Sequence, residues 1–146
     1  MRKCIIDEAA KAFGGTRNLA IISNSAGSSD DKNYEEADAI EKSMDLKVIK
    51  HKYKKPNVHK DIMDHFHCIE EEKVAIIGDR ILADIVMGNR FGFFTIYVDP
   101  IEPKKENLMV KMIRKFENQA IPLILPRDKK PIEHSLVKEI AELKKN

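Results

Sequence analysis

Four short apolar runs alternate with helical segments, and this constrains the fold more than any other feature of the chain. The runs are Leu19–Ile22 (LAII), Val48–Ile49, Val74–Ile77 (VAII) and Phe93–Val98 (FFTIYV). A run that is apolar at every position has no solvent face, so it suits a strand covered on both sides, as in a parallel sheet. Between the runs the apolar spacing is helical. Residues 4–13 carry Ile5, Ile6, Ala9, Ala10 and Phe13 at such a spacing, and Gly14–Gly15 ends the helix. Tyr34–Met44 reads as a second helix. Pro56 opens a third that Val58–Phe66 continues, since proline suits the first helical position. Leu82–Arg90 reads as a fourth, stopped by Gly92. The order α-β-α-β-α-β-α-β predicts an α/β fold with a parallel sheet and helices on both faces. Such sheets bind ligands beyond the carboxyl ends of their strands.

Past Asp99–Pro100 the pattern changes. Residues 107–118 place Leu108, Met109, Met112, Ile113 and Phe116 at amphipathic spacing, with Lys111, Arg114 and Lys115 on the polar side. Packing against the sheet is the expected use of that apolar stripe, and docking on a membrane surface is the alternative. Prolines 122, 126 and 131 mark an extended connection over 120–131, and Glu133–Lys145 reads as a charged helix. The chain is expected to divide into a domain over 1–118 and a C-terminal extension over 119–146. With 26 basic against 24 acidic residues, bulk charge does not mark a nucleic-acid binder. The basic clusters Lys47–Lys55 and Lys104–Lys115 are expected to be solvated faces or contacts to an anion. Cys4 and Cys68 form no CxxC pair, so free thiols in a reducing compartment are expected. No run reaches the length of a membrane-spanning helix, and residues 1–13 lack the apolar core of a secretory signal.

Three polar loops follow strands and carry the candidate chemistry. In IISNSAG (21–27), Ser23 and Asn24 can donate hydrogen bonds to phosphoryl oxygens, although Ser, Asn and Gly also serve ordinary turns. In KYKKPN (52–57), Lys55 precedes Pro56 and is expected at a helix start, a position suited to a phosphate. In IIGDRILAD (76–84), Asp79 and Asp84 can share a hard cation such as Mg2+, or can simply act as a helix cap and a first-turn acid. His51 and His59 flank the lysine loop as surface groups or substrate contacts. A zinc reading of His65, His67 and Cys68 is disfavoured, because the two histidines point to different sides of a helix.

Taken together, SNSAG, KKP and GDRxxAD resemble motifs two, three and four of the haloacid dehalogenase (HAD) phosphatases. Over roughly residues 5–118 the chain resembles the mitochondrial phosphatidylglycerophosphatase family, through IISNSAGS, HKYKKPN and VAIIGDRILADIVMGNRFG. Asn57 stands where that family usually has Gly. The resemblance implies a three-layer HAD-like Rossmannoid fold that removes the phosphate of phosphatidylglycerophosphate, giving phosphatidylglycerol on the way to cardiolipin. It implies an anionic phospholipid substrate, peripheral membrane contact and a mitochondrial location at the matrix or inner-membrane face. Ser23 and Asn24 would bind the phosphoryl group and Lys55 would neutralise its charge. Asp79 would bind Mg2+, with Asp84 in support. No nucleic-acid partner is implied.

HAD phosphatases also use a DxD motif, whose first Asp attacks phosphorus and whose second is the general acid and base. Asp7 is the only Asp before Ser23, and it sits in a helical pattern. The first strand and its DxD motif are therefore expected to be missing from this chain. A sheet so built would leave an unpaired edge, so a fragment of an active phosphatase, inactive as an isolated chain, is expected in preference to a genuine protein that has lost catalysis. The rival to a phosphatase reading is a non-catalytic module that binds phosphate or a partner.

Overall fold

A computed structural model describes residues 2–68, 70–99, 111–113, 115–117, 119 and 134. They fall into two compact units, Met1–Ile69 and Glu70–Asn146.

In the first unit, α1 (Arg2–Ala12) ends at Gly14 and Gly15, both at positive φ. The strand β1 (Ala20–Ile21) follows. Next come α2 (Glu35–Met44), β2 (Lys47–Val48) and α3 (His59–Phe66). β1 and β2 are parallel, pairing Ala20 with Lys47 and Ile21 with Val48. One further rung, Ile49 N–H to Ile21 O at 2.8 Å, carries the pairing to the site loops. The core is aliphatic: Ala37, Val48, Ile49, Val58, Ile62 and Met63 are buried. Complete burial of a side chain such as Ile62 contributes about 1.5–3 kcal/mol. Helix α2 stops where Asp45 turns left-handed at φ 54°, and α3 stops the same way at His67, φ 49°.

In the second unit, β3 (Ala75–Gly78) and β4 (Phe94–Tyr97) are parallel and paired from Ala75–Phe94 to Gly78–Tyr97. Between them runs a wide π-turn, Ile81–Ile85, that feeds directly into α4 (Val86–Phe91). Gly92, at φ 78°, terminates α4. Val74, Ile76, Ala83, Met87 and Phe93 are buried here. Gly88 brings α4 against β4, because a Cβ there would lie 2.1 Å from Thr95 Cγ2.

The alternation of helices with parallel strands is therefore as expected, and the chain is an α/β protein. Four details differ from expectation. α3 begins at His59 and not at Pro56, because Asn57 N–H closes a turn on Lys54 O at 2.9 Å and Val58 is non-helical. The runs read as fully buried strands are only partly so: Ala20 and Ile21 are half-buried and Ile77 is 56% exposed. The strands form two two-stranded pairs in place of one sheet, so among the described residues both edges of each pair lack a strand neighbour. Finally, in the helical residues 111–113 and 115–117, Met112 and Phe116 are exposed and Glu117 is buried, so those two apolar residues do not pack inward. A polar contact of Glu117, described below, sets that orientation. His134 lies in no helix or strand; the remainder of the expected helix 133–145 and the connection 120–131 lie outside the described residues.

Candidate functional site

The loop after β1 is built around one carboxylate. Asp31 accepts the N–H groups of Gly27 at 2.8 Å, Glu36 at 2.9 Å and Ala37 at 2.9 Å. Burial acts to raise its pKa, but these three amides outweigh it and, with Lys50, hold the carboxyl below its ordinary range. Two of the donors belong to the first turn of α2, so Asp31 ties the loop to the helix start. Gly27 has φ 79°, and a Cβ on it would lie 2.8 Å from Ile49 O. The loop thus presses its backbone against the end of β2.

Ser23 and Asn24 sit at the carboxyl end of β1. Ser25 N–H donates to Ser23 Oγ at 3.2 Å, and the two serine hydroxyls lie 3.2 Å apart. Accepting from an amide leaves the Ser23 hydroxyl its own hydrogen to donate. Asn24 Oδ1 accepts Lys55 N–H at 2.7 Å, which turns the amide NH2, with two donors, the other way. Lys55 Nζ donates to Ile22 O at 3.1 Å, placing the ammonium at the tip of β1. The three expected phosphate-binding residues are therefore neighbours, although Lys55 lies in the turn before α3 and not at its N-terminus. Lys54 pairs with Asp30 in the same region. His51 is buried and bonded to backbone, so it is neither a surface group nor a substrate contact. His59 begins α3, and Asp7 lies exposed on α1.

Asp79 and Asp84 occupy the second unit, at the carboxyl end of β3. Asp84 is buried, and its Oδ2 accepts Arg80 N–H at 3.2 Å. A Cβ on Gly78 would lie 2.3 Å from that same oxygen, so only glycine leaves room for the carboxylate against the strand end. The backbone widens here: Asp84 N–H and Ile85 N–H both reach Arg80 O, at 2.8 and 3.4 Å. Wide turns of this kind recur at functional sites. The residue flanking the turn is Arg80, and Asp79 precedes it. Asp84 serves the turn through the bond from Arg80 N–H. Leu82 N–H is capped by Glu117 Oε1 at 2.8 Å, a partner with no short sequence motif to reveal it. Among the described residues no three metal-ligating side chains gather. Two carboxylates at a strand end nevertheless fit Mg2+, which needs hard oxygens, completes its shell with water and substrate oxygens, and is commonly held by one or two carboxylates.

Parallel strands with polar loops at their carboxyl ends make this an α/β protein of the kind that meets its ligands at strand tips. Residues 3–102 match the family model described as mitochondrial PGP phosphatase, and the chain belongs to that family. It is 35% identical to the chloroplastic/mitochondrial phosphatidylglycerophosphate phosphatase 1 of Arabidopsis thaliana, over 94% of this chain and 40% of that protein. It is 31% identical to the mitochondrial phosphatidylglycerophosphatase GEP4 of Saccharomyces cerevisiae, over 76% of this chain and 62% of that protein. Against the chloroplastic phosphatidylglycerophosphate phosphatase 1 of Chlamydomonas reinhardtii the identity is 37%, over 73% and 39%. The chain thus spans between two fifths and three fifths of the length of these relatives. No solved structure matches it.

Proposed function

We propose that this chain provides the phosphate- and cation-binding part of a phosphatidylglycerophosphate phosphatase of HAD type, working in the mitochondrion. The observation that carries the proposal is the Ser23–Asn24–Lys55 group, joined by the 2.7 Å bond between Lys55 N–H and Asn24 Oδ1. In this reading the Ser23 hydroxyl and the Asn24 amide donate to phosphoryl oxygens, and the Lys55 ammonium balances their charge. Asp79 and Asp84 hold Mg2+, which when bound neutralises charge on the phosphoryl group. Residues 1–118 are the phosphatase domain, a three-layer Rossmannoid, and 119–146 an extension. Exposed Met112 and Phe116, beside exposed Lys111 and Lys115, suit peripheral contact with an anionic membrane holding the substrate.

The attacking carboxylate has no counterpart among residues 1–22, where Asp7 is the only Asp. The second reading is a non-catalytic phosphate-binding module. One assay tests for catalysis by this chain. Purified protein is given vesicles containing phosphatidylglycerophosphate and Mg2+, and released phosphate is measured. Turnover that falls at least about a hundredfold in Asp79→Ala supports the phosphatase reading. No turnover in the unaltered protein shows that this chain does not catalyse alone and leaves its role to be read from phosphate and Mg2+ affinity. Turnover indifferent to Asp79→Ala removes the cation assignment.

A further inference from the structure

His51 is 3% exposed, and both of its ring nitrogens face main-chain carbonyl oxygens. Nε2 lies 2.8 Å from Ser23 O, and Nδ1 lies against Tyr53 O. The residue's own N–H donates to Gly27 O at 2.8 Å. One buried residue therefore touches the end of β1, the loop that follows it, and the segment that leads into Lys55. Ser23 O and Tyr53 O lie on opposite sides of the imidazole, so the ring spans the gap as a rigid strut. Carbonyl oxygens only accept, so the ring contributes as a donor.

We infer that His51 is a positioning residue of the phosphate-binding group, setting Ser23 and Lys55 at a fixed separation without touching the phosphate. The inference rests on the reading of Ser23, Asn24 and Lys55 given above. Its physical basis is that each carbonyl the ring grips belongs to, or lies two residues from, a side chain of that group. Fixing Ser23 O restrains the peptide plane and with it the direction of the Ser23 side chain. Fixing Tyr53 O restrains the turn over 54–57 from which the Lys55 ammonium extends. The ring contacts and the two Lys55 bonds are all part-buried. The imidazole itself, on a residue 3% exposed, is a planar group with few ways to turn, which suits it to holding the geometry before the anion arrives.

The test uses the full chain, with inorganic phosphate as probe and the backbone amide NMR signals of Ser23, Asn24 and Lys55 as readout. In the unaltered protein these signals are expected to shift saturably with phosphate. His51→Ala removes both ring contacts and is expected to weaken phosphate binding about tenfold. His51→Gln keeps an N–H donor but on a flexible side chain in place of the planar ring that reaches both carbonyls, and is expected to lose about threefold. Lys55 N–H exchange with solvent should quicken in both variants. His67→Asn is the control: His67 is exposed and left-handed, a conformation that Asn accepts. It should bind phosphate as the unaltered protein does. Should His51→Ala not fold, His51→Gln decides alone. If the amides respond to phosphate with equal affinity in His51→Gln and the unaltered protein, His51 has no positioning role. If they do not respond in the unaltered protein, the phosphate-binding reading fails and takes this inference with it. A lowered melting temperature with unchanged affinity marks a purely structural histidine and overturns the inference.

Discussion

At Asp31 one carboxylate accepts three backbone N–H groups, two of them from the start of α2. Its folded-state pKa is depressed, so the unfolded chain takes up its proton first as pH falls. The stability it contributes is full above the ordinary aspartate range near ~4 and is lost as pH drops through the folded value. Thermal melts of the unaltered protein and Asp31→Asn should therefore differ at neutral pH and converge in acid. A difference that stayed constant with pH would show that the charge is irrelevant. Gly78 is the second residue on which the site depends. Gly78→Ala sets a methyl group 2.3 Å from Asp84 Oδ2, which must then move. Overpacking of this kind costs about 1–3 kcal/mol, read by urea unfolding, and Mg2+ affinity measured by calorimetry should fall with it.

Between elements, the contact of α4 with β4 rests on Gly88 and Thr95. Gly88→Ala alone would collide with Thr95 Cγ2 and is expected to cost about 1–3 kcal/mol. Thr95→Ser deletes that methyl while keeping the hydroxyl that donates to Asn89 Oδ1 at 3.1 Å. The double variant should recover most of the loss, and a double-mutant cycle with no coupling would contradict the packing described. Glu117 links the helical stretch at 111–117 to the π-turn by accepting Leu82 N–H while 3% exposed. Glu117→Ala strands that amide and should destabilise by about 1–3 kcal/mol, whereas Glu117→Gln keeps an acceptor and should cost less. In the first unit Glu41 joins α2 to β2. Its pKa is lowered by Val48 N–H and then by Lys47, so its contribution also fades in acid.

At the level of the whole molecule, a cation bound only by the folded chain must stabilise it. Mg2+ at a hundredfold excess over its dissociation constant should add about 2.7 kcal/mol, seen as a rise in melting temperature that a chelator reverses. Asp84→Asn should abolish the rise, and an equal rise in that variant would sink the carboxylate-pair assignment. The two compact units predict no single transition by necessity, so amide signals of each unit should be followed separately.

The alternation of helix and strand was legible in the chain because it depends on local apolar spacing and on glycine stops such as Gly92. The candidate residues were legible because Ser23, Lys55 and Asp79 each follow an apolar run. Other features were decided only by the fold. Asp31 reaching Gly27, Glu117 reaching Leu82 and His51 bridging Ser23 to Tyr53 are bonds to backbone groups, which every residue possesses and no motif advertises. The start of α3 moved for the same reason: the Asn57–Lys54 turn claimed Pro56 before a helix could. Local order follows from side-chain pattern, whereas the placing of Ser23 beside Lys55 follows from part-buried hydrogen bonds between segments distant in the chain, and those exist only once the strands have paired.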